Sequence, residues 1–135
     1  AGISLAAGRR EKEALLELVA DAGYRVIDMS DDEMAKLHVR YMVGGHAHGL
    51  QHERLFRFEF PERPGALLRF LEAVGAHWNI SLFHYRNHGS DYGRVLAGVQ
   101  VAPGDAERFA GHLGDLGYVY TEETDNPAYR MFLGD

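Results

Sequence analysis

Two stretches of the chain repeat one another, and this repeat limits the folds that the sequence can adopt. Residues 1–8, Ala-Gly-Ile-Ser-Leu-Ala-Ala-Gly, match residues 97–104, Ala-Gly-Val-Gln-Val-Ala-Pro-Gly. A helical pattern follows each copy and ends at an Asp-x-Gly-Tyr sequence, which contains Gly23 in the first copy and Gly117 in the second. Glycine at this place is typical of the left-handed residue just past a helix C-terminus. The chain therefore carries the same β-α segment twice.

The residues before the second copy complete a larger unit. Residues 55–60 alternate apolar and charged side chains, which predicts a half-buried strand. Apolar residues at helical spacing predict a helix over Ala66–His77, and Ile80–Tyr85 and Arg94–Val101 are predicted strands. With the helix of the repeat and a last strand over Tyr118–Glu122, the order is β-α-β-β-α-β. This order is the ferredoxin-like motif.

The first copy contains only the last β-α-β of such a unit, with its closing strand predicted over Tyr24–Met29. The predicted fold class is therefore α+β, a ferredoxin-like β-α-β-β-α-β sandwich preceded by the last β-α-β of another. In this interpretation residues 1–30 are the C-terminal half of a first subdomain. Residues 31–53 are a capped amphipathic helix and a glycine- and histidine-containing linker. Residues 54–135 are a complete second subdomain with a C-terminal tail.

The composition excludes several classes of protein. The 135 residues are 46% hydrophobic and 25% charged, which is typical of a globular protein. A net charge of −6 argues against nucleic-acid binding, which needs a basic face to displace counterions. No apolar run is long enough to cross a bilayer, so we expect no membrane contact and a cytoplasmic location. The absence of cysteine removes disulfides, thiolate metal sites and cysteine nucleophiles.

The sequence supplies no recognisable catalytic centre. The two lysines, Lys12 and Lys36, lie in charged helical stretches, whereas a Schiff-base lysine needs a pocket. No nucleophile elbow, phosphate loop or dinucleotide fingerprint is present. His46, His48 and His52 cluster in the linker and could bind a transition metal. Because no acidic or cysteine residue is placed to complete that site, a solvated loop is favoured and no metal is expected.

The strongest polar pattern lies at residues 83–86, Phe-His-Tyr-Arg. Alternation along the strand places His84 and Arg86 on one face and the aromatic residues on the other. The turn at 63–66 ends at a helix N-terminus, where free amides suit a carboxylate. In a ferredoxin-like unit this turn and the second strand can lie close together, forming a site for a small zwitterion. The alternative is that the turn only shapes the backbone and the aromatic residues only fill the core. The expected apolar wall is Leu67, Leu68 and Leu82.

These same segments resemble a known family. Residues 58–67 and 78–86 resemble the C-terminal regulatory region of biosynthetic threonine ammonia-lyase, also called threonine deaminase or threonine dehydratase. Residues 31–45 look like the segment that joins its two ACT-like subdomains, and residues 126–130 and 132–134 resemble its C-terminus. The resemblance covers essentially the whole chain. It implies that both ferredoxin-like units are ACT-like.

The resemblance implies a function that the residue patterns alone do not. In that family a catalytic domain with pyridoxal phosphate converts threonine to 2-oxobutanoate and ammonia, on the way to isoleucine. The ACT-like subdomains bind isoleucine as inhibitor and valine as its antagonist. Nothing in this chain resembles the catalytic domain. The chain is thus expected to be a regulatory fragment that is not an enzyme by itself and holds no cofactor.

The resemblance also implies effector-binding residues. The backbone donors of Gly65 and Ala66 are expected to hold the effector carboxylate, and leucines its branched side chain. A weaker candidate, Arg40, lies in the connecting helix. The full expected set is Pro64, Gly65, Ala66, Leu67, Leu82, His84, Tyr85, Arg86 and Arg40.

Two other interpretations stay open: a free-standing amino-acid sensor, and an oligomerisation module that binds no ligand. A homodimer is expected in any case, because a half domain leaves a sheet edge and an apolar helix face uncovered. Pairing about a two-fold axis would cover both.

Overall fold

The computed structural model divides the chain into two compact units, Ala1–Asp31 and Asp32–Asp135. The sequence-based boundaries after residues 30 and 53 stay predictions. The described residues are 8–38, 49–87, 89 and 91–133.

The first unit is built on helix α1 (Arg9–Asp21). The helix ends as the repeat predicted, since Gly23 just beyond it has a left-handed φ of 84°. An ion pair of 3.0 Å joins Lys12 to Asp28 and so ties the following segment to the helix.

Residues Tyr24–Met29, predicted to be a strand, do not form one. A strand needs a neighbouring backbone to bond with, and no described residue of this unit pairs with that segment. The predicted first strand of the repeat lies outside the described residues.

The second unit contains β1 (Glu53–Pro61), α3 (Ala66–Gly75), β2 (Asn79–Asn87), β3 (Tyr92–Gln100), α4 (Ala106–Leu116) and β4 (Val119–Glu122), together with α2 (Glu33–Leu37) and α5 (Pro127–Phe132). Its four strands form one sheet with the order β2-β3-β1-β4, in which all neighbouring strands are antiparallel. Two helices connect these strands in the order β-α-β-β-α-β, which confirms the ferredoxin-like α+β prediction. A bulge between Ile80 and Leu82 interrupts the pairing of β2 with β3.

Aromatic residues of β1 form the core under α3 and α4. The alternation of the strand directs Phe56, Phe58 and Phe60 to this face, where all three are buried. The Phe58 ring meets Phe70 of α3 at a centroid distance of 4.8 Å, and the Phe56 ring meets Phe109 of α4 at 5.3 Å. Rings at such distances and tilts add to the stabilisation from burial. The predicted half-buried strand is thus confirmed, with its apolar side facing the helices.

The opposite face of the sheet is also covered. Alternation places Leu55 of β1 and Leu96 of β3 on this face, and both are fully buried. Met34 of α2 is fully buried as well. The hydroxyl of Tyr129 in α5 donates a 2.5 Å hydrogen bond to the carboxylate of Glu53. Both outer faces of the β1–β3 pair are therefore shielded, one by α3 and α4 and the other by α2 and α5.

Helix α2 is shorter than the sequence pattern predicted and belongs to the second unit. The predicted amphipathic segment was 31–42, whereas the helix spans Glu33–Leu37, with Asp32 accepting a hydrogen bond from the amide of Ala35 as the N-cap. Residues 39–42 and the linker histidines, His46 and His48, lie outside the described residues. In the described part of the chain, no helix is long and apolar enough to span a membrane.

Helix α4 allows a direct test of its predicted end. Gly117 has a φ of 74°, and a Cβ built there would meet no atom within 4 Å, as is also true of Gly114 inside the helix. Gly117→Ala is therefore expected to destabilise the protein by about 1 kcal/mol through backbone strain alone. The matched variant Gly114→Ala should stabilise it by about 0.5–1 kcal/mol. Urea unfolding measures both values, and equal effects of the two variants would contradict the left-handed cap.

Candidate functional site

The structure places the predicted site residues on two faces of the sheet, except for one residue that it does not describe. Pro64, Gly65, Ala66 and Leu67 form the turn and the first residues of α3. Tyr85 of β2 lies beside this turn on the face that carries α3. Arg40 is outside the described residues. The remaining members of the set, on the opposite face of the sheet, are Leu82, His84 and Arg86.

The turn presents free backbone donors at the start of α3. Gly65 adopts a left-handed conformation with φ 83° and serves as the N-cap. The amide of Ala66, which was expected to hold a carboxylate, instead donates to the carbonyl of Arg63 at 3.1 Å. Within the part of the chain that the structure describes, the amides of Gly65, Leu67 and Leu68 donate to no acceptor. Free amides at the positive end of a helix suit an anion such as a carboxylate.

A side-chain hydrogen bond joins the turn to β2. The hydroxyl of Tyr85 donates to the carboxylate of Glu62, and this bond raises the pKa of Tyr85. The Tyr85 ring stacks on Phe60 at a centroid distance of 6.4 Å. The amide of Glu62 in turn donates to the carbonyl of Asp91 at 2.8 Å, which holds the turn against the loop between β2 and β3. We call Glu62, the turn and the first residues of α3 (63–68), and Tyr85 the turn–strand junction.

A missing side chain on β3 makes room for this bond. A Cβ at Gly93 would lie 2.6 Å from Oε1 of Glu62 and 3.0 Å from Cε2 of Tyr85. Separations this short would force at least one of the two side chains to move. Gly93 is therefore a requirement of the junction that the sequence pattern did not indicate.

Apolar side chains extend from the junction along β2 and α3. Phe83 is 38% exposed and contacts Phe70 of α3, at a centroid distance of 6.2 Å. Leu67 is partly buried against the core, and Leu71 follows it one helical turn later. Leu67, Leu71 and Phe83 are thus partly exposed apolar side chains next to the junction, and we call them the apolar wall. Leu82, which was expected in this wall, lies on the opposite face of the sheet.

His84 and Arg86 face away from the junction. Nδ1 of His84 lies 2.8 Å from Nδ1 of His38, the buried residue that ends α2. Partial burial, and then the positive charge of Arg86, lower the pKa of His84. Because strand residues alternate, His84 and Arg86 point to the α2 side while Tyr85 points to the α3 side. The turn and His84 consequently do not form one pocket.

A separate cleft of about 580 Å³ lies on the other flank of the turn. Residues 63–66 form one wall, and the end of α4 and the start of β4 form the other. Arg69 lies over the ring of Tyr118 with its guanidinium carbon 6.0 Å from the centroid, and Arg63 also lines the space. Neither arginine is among the expected effector-binding residues.

Of the three linker histidines, the structure describes only His52. His52 is exposed and its carbonyl accepts a hydrogen bond from the amide of Val101. Its neighbours His46 and His48 are outside the described residues. Among the residues that are described, no group of three or more histidine or acidic side chains could hold a metal ion.

Sequence reasoning missed Glu62 and His38, although both lay in segments that it singled out. Glu62 is part of the predicted turn, and a carboxylate next to a turn opposite a strand tyrosine is a recognisable pair once the sheet order is known. His38 falls four residues after Met34, so the helical period already placed it on the buried side of α2. The missing signal in each case was the partner on a distant element.

Comparisons with known proteins give one consistent family. A family model described as the C-terminal regulatory domain of threonine dehydratase matches residues 44–133. The chain is 58% identical over 133 residues to L-threonine dehydratase biosynthetic IlvA of Escherichia coli (strain K12), which covers 98% of this chain and 26% of that relative. The protein of the same name from Salmonella typhimurium is 54% identical over 132 residues, with 98% and 26% covered. The mitochondrial threonine dehydratase of Saccharomyces cerevisiae is 52% identical over 126 residues, with 92% and 22% covered. The chain thus spans about a quarter of the length of these relatives.

The environment of His84 predicts a pH dependence. A histidine whose pKa is lower in the folded than in the unfolded chain binds its proton less readily when folded. Stability is therefore expected to fall as the pH drops below the ordinary value of 6.5. An NMR titration of the His84 ring should give a midpoint below 6.5, and His84→Gln should flatten the loss of unfolding free energy between about pH 7 and pH 5. A midpoint at or above the ordinary value would contradict this assignment.

Proposed function

Because the chain belongs to the family of C-terminal regulatory domains of threonine dehydratase, we propose that it binds isoleucine and valine as allosteric effectors of a threonine ammonia-lyase. We propose further that the whole protein converts threonine to 2-oxobutanoate and ammonia in isoleucine biosynthesis, at a catalytic domain outside this chain. The supporting observation is the hydrogen bond between Tyr85 and Glu62, which holds a carboxylate next to the turn whose helix amides are free.

The junction offers each group that an amino acid needs. The free amides of Gly65, Leu67 and Leu68 suit the effector carboxylate. The carboxylate of Glu62 suits its ammonium group, and the Tyr85 hydroxyl keeps that carboxylate in position. Three of the nine expected residues have a role in this arrangement: Gly65, Leu67 and Tyr85.

The apolar wall suits a branched aliphatic side chain. Leu67 and Phe83 are partly exposed and can be covered further by a ligand. Isoleucine has one more methylene than valine, which is worth about 0.8 kcal/mol when it is buried. A difference of that size corresponds to about fourfold in affinity, so one wall can bind both effectors and still prefer isoleucine.

The described residues do not suit pyridoxal phosphate. The Lys12 ammonium lies 3.0 Å from the carboxylate of Asp28, and the hydrogen bond that it donates to that carboxylate raises the pKa of the lysine, which disfavours a neutral nucleophilic amine. No catalytic step is therefore assigned to this chain. In the proposal, the cofactor belongs to the catalytic domain. A cytoplasmic location for the protein stays a prediction.

Isothermal titration of the chain with isoleucine tests the binding site. Tyr85→Phe removes the hydroxyl that positions Glu62, and Glu62→Gln removes the negative charge, so each is expected to weaken binding by about tenfold. The control is Arg69→Ala, which changes the neighbouring cleft and should leave affinity within about threefold. Loss of affinity in Arg69→Ala with unchanged affinity in Tyr85→Phe would place the effector in the cleft instead.

The expected homodimer is a separate proposal. In the first unit Leu18 is 67% exposed and Tyr24 is 70% exposed, so this unit offers apolar surface that a second copy could cover. Sedimentation equilibrium of the chain is expected to show a dimer, and Leu18→Glu together with Tyr24→Glu should shift it towards monomer. A wild-type chain that stays monomeric at millimolar concentration would overturn this proposal. Dimers without any amino-acid binding would favour the oligomerisation module.

A further inference from the structure

Two consecutive residues of β2 connect opposite sides of the sheet. Tyr85 reaches the turn on the α3 side through Glu62, and His84 reaches α2 on the other side through His38. Successive strand residues share one peptide unit, which is planar and rigid. A rotation or shift of this unit therefore moves both side chains together.

The contact between His84 and His38 depends on a defined arrangement. The two Nδ1 atoms are 2.8 Å apart and the rings are nearly perpendicular, with an interplanar angle of 86°. One Nδ1 must donate and the other accept, so the bond exists only when the tautomers are complementary. His38 has no exposed surface, and Met34 of the same helix is equally buried. A displacement of His84 would therefore change a hydrogen bond inside a closely packed layer, where side chains have little room to move.

The other described attachments of α2 lead to different elements. Glu33 pairs with Arg57 of β1 at 3.0 Å. The N-cap Asp32 accepts a hydrogen bond from Asn126, the N-cap of α5, at 3.2 Å. These contacts hold the N-terminal end of α2, whereas the histidine pair holds its C-terminal end against β2. The two ends of the helix are thus anchored to separate parts of the sheet.

Strand β2 is less constrained than the two central strands of the sheet. It lies at an edge and pairs only with β3, and the bulge between Ile80 and Leu82 interrupts that pairing. Edge strands and bulges tolerate shifts that a central strand, bonded on both sides, does not. The central strands β1 and β3 carry fully buried side chains on both faces.

From these contacts we propose that β2 couples the turn–strand junction to the connecting helix α2: a change at Tyr85 is passed through His84 to His38. His38 and His84 are positioning residues that do not touch the effector. The inference rests on the proposed function for the identity of the effector, isoleucine. It assigns to α2, at the start of the second unit, the role of responding to occupancy of the junction. The coupling requires two arrangements of the protein, one in which the hydrogen bond between His38 and His84 is formed and one in which it is broken.

A measurement without ligand tests the coupling itself. The amide of His38 donates to the carbonyl of Met34 at 3.0 Å, so its hydrogen exchange reports the closure of the last turn of α2. Tyr85→Phe is expected to speed this exchange by at least about threefold. The matched control is Tyr118→Phe, which removes the same hydroxyl from a tyrosine beside the cleft and should leave the rate unchanged.

In a His84→Ala background, Tyr85→Phe should have no further effect on the rate of His38 exchange. An unchanged rate in Tyr85→Phe, or an equal response in the His84→Ala background, would overturn the inference.

A second measurement adds isoleucine. Saturating isoleucine is expected to change the His38 exchange rate of the wild-type chain by at least about threefold and to leave that of His84→Ala unchanged. Calorimetry should show that His84→Ala binds isoleucine within about threefold of wild type. His84→Gln, whose amide can still bond His38, should recover part of the response even if His84→Ala folds poorly. Isoleucine binding without any change at His38 would overturn the coupling and leave the proposed function standing. Absence of isoleucine binding would overturn the proposed function, while the measurement without ligand still decides the coupling.

Discussion

The alternation of side chains along β1 is the constraint on which the rest of the second unit depends. Phe56, Phe58 and Phe60 point to one face and are covered by α3 and α4. Leu55 and Arg57, which alternate with them along the strand, point to the other face, where α2 and α5 lie. Because the side-chain period of a strand is two, a slip of one residue would exchange the faces and bury the charged residues under the helices. The register of β1 with its two neighbours therefore determines what each helix packs against.

The same register determines where the polar groups of the junction lie. β1 ends at Pro61, so Glu62 follows directly and meets Tyr85 of the edge strand. The ring of Tyr85 stacks on the buried ring of Phe60, and this contact restrains the position of the tyrosine. The proposed effector site is accordingly a product of core packing. Its charged and polar groups are held by residues whose own positions the aromatic core decides.

Local patterns were sufficient to predict most of the second unit. The alternation at 55–60 and the helical spacing after Ala66 depend on neighbours in the chain, and the structure confirms both elements. The left-handed glycines after α1 and α4 were also predictable, because a helix end is a local event. The segment Tyr24–Met29 has a strand-like sequence but forms no strand in the described unit, since pairing depends on a second backbone that the local pattern does not contain.

The candidate site was less predictable because it consists of pairs between distant elements. Alternation correctly separated His84 from Tyr85, but it could not say which of the two faces the turn. The hydrogen bonds from Tyr85 to Glu62 and between His84 and His38 join residues 23 and 46 positions apart, and neither follows from spacing. The use of the Ala66 amide inside its own turn likewise depends on the folded backbone. Residue identity indicated a ligand site near this turn, and only the three-dimensional arrangement assigns each residue to a side of the sheet.

The central claim is that an amino-acid effector binds at the turn–strand junction on the α3 side of the sheet. Isotope-filtered nuclear Overhauser measurements on the chain with bound isoleucine test it most directly. The account predicts contacts from the isoleucine methyl protons to the ring of Tyr85 and the methyl groups of Leu67. Contacts to Tyr118 and Val119 in the cleft, with none to Tyr85, would contradict it.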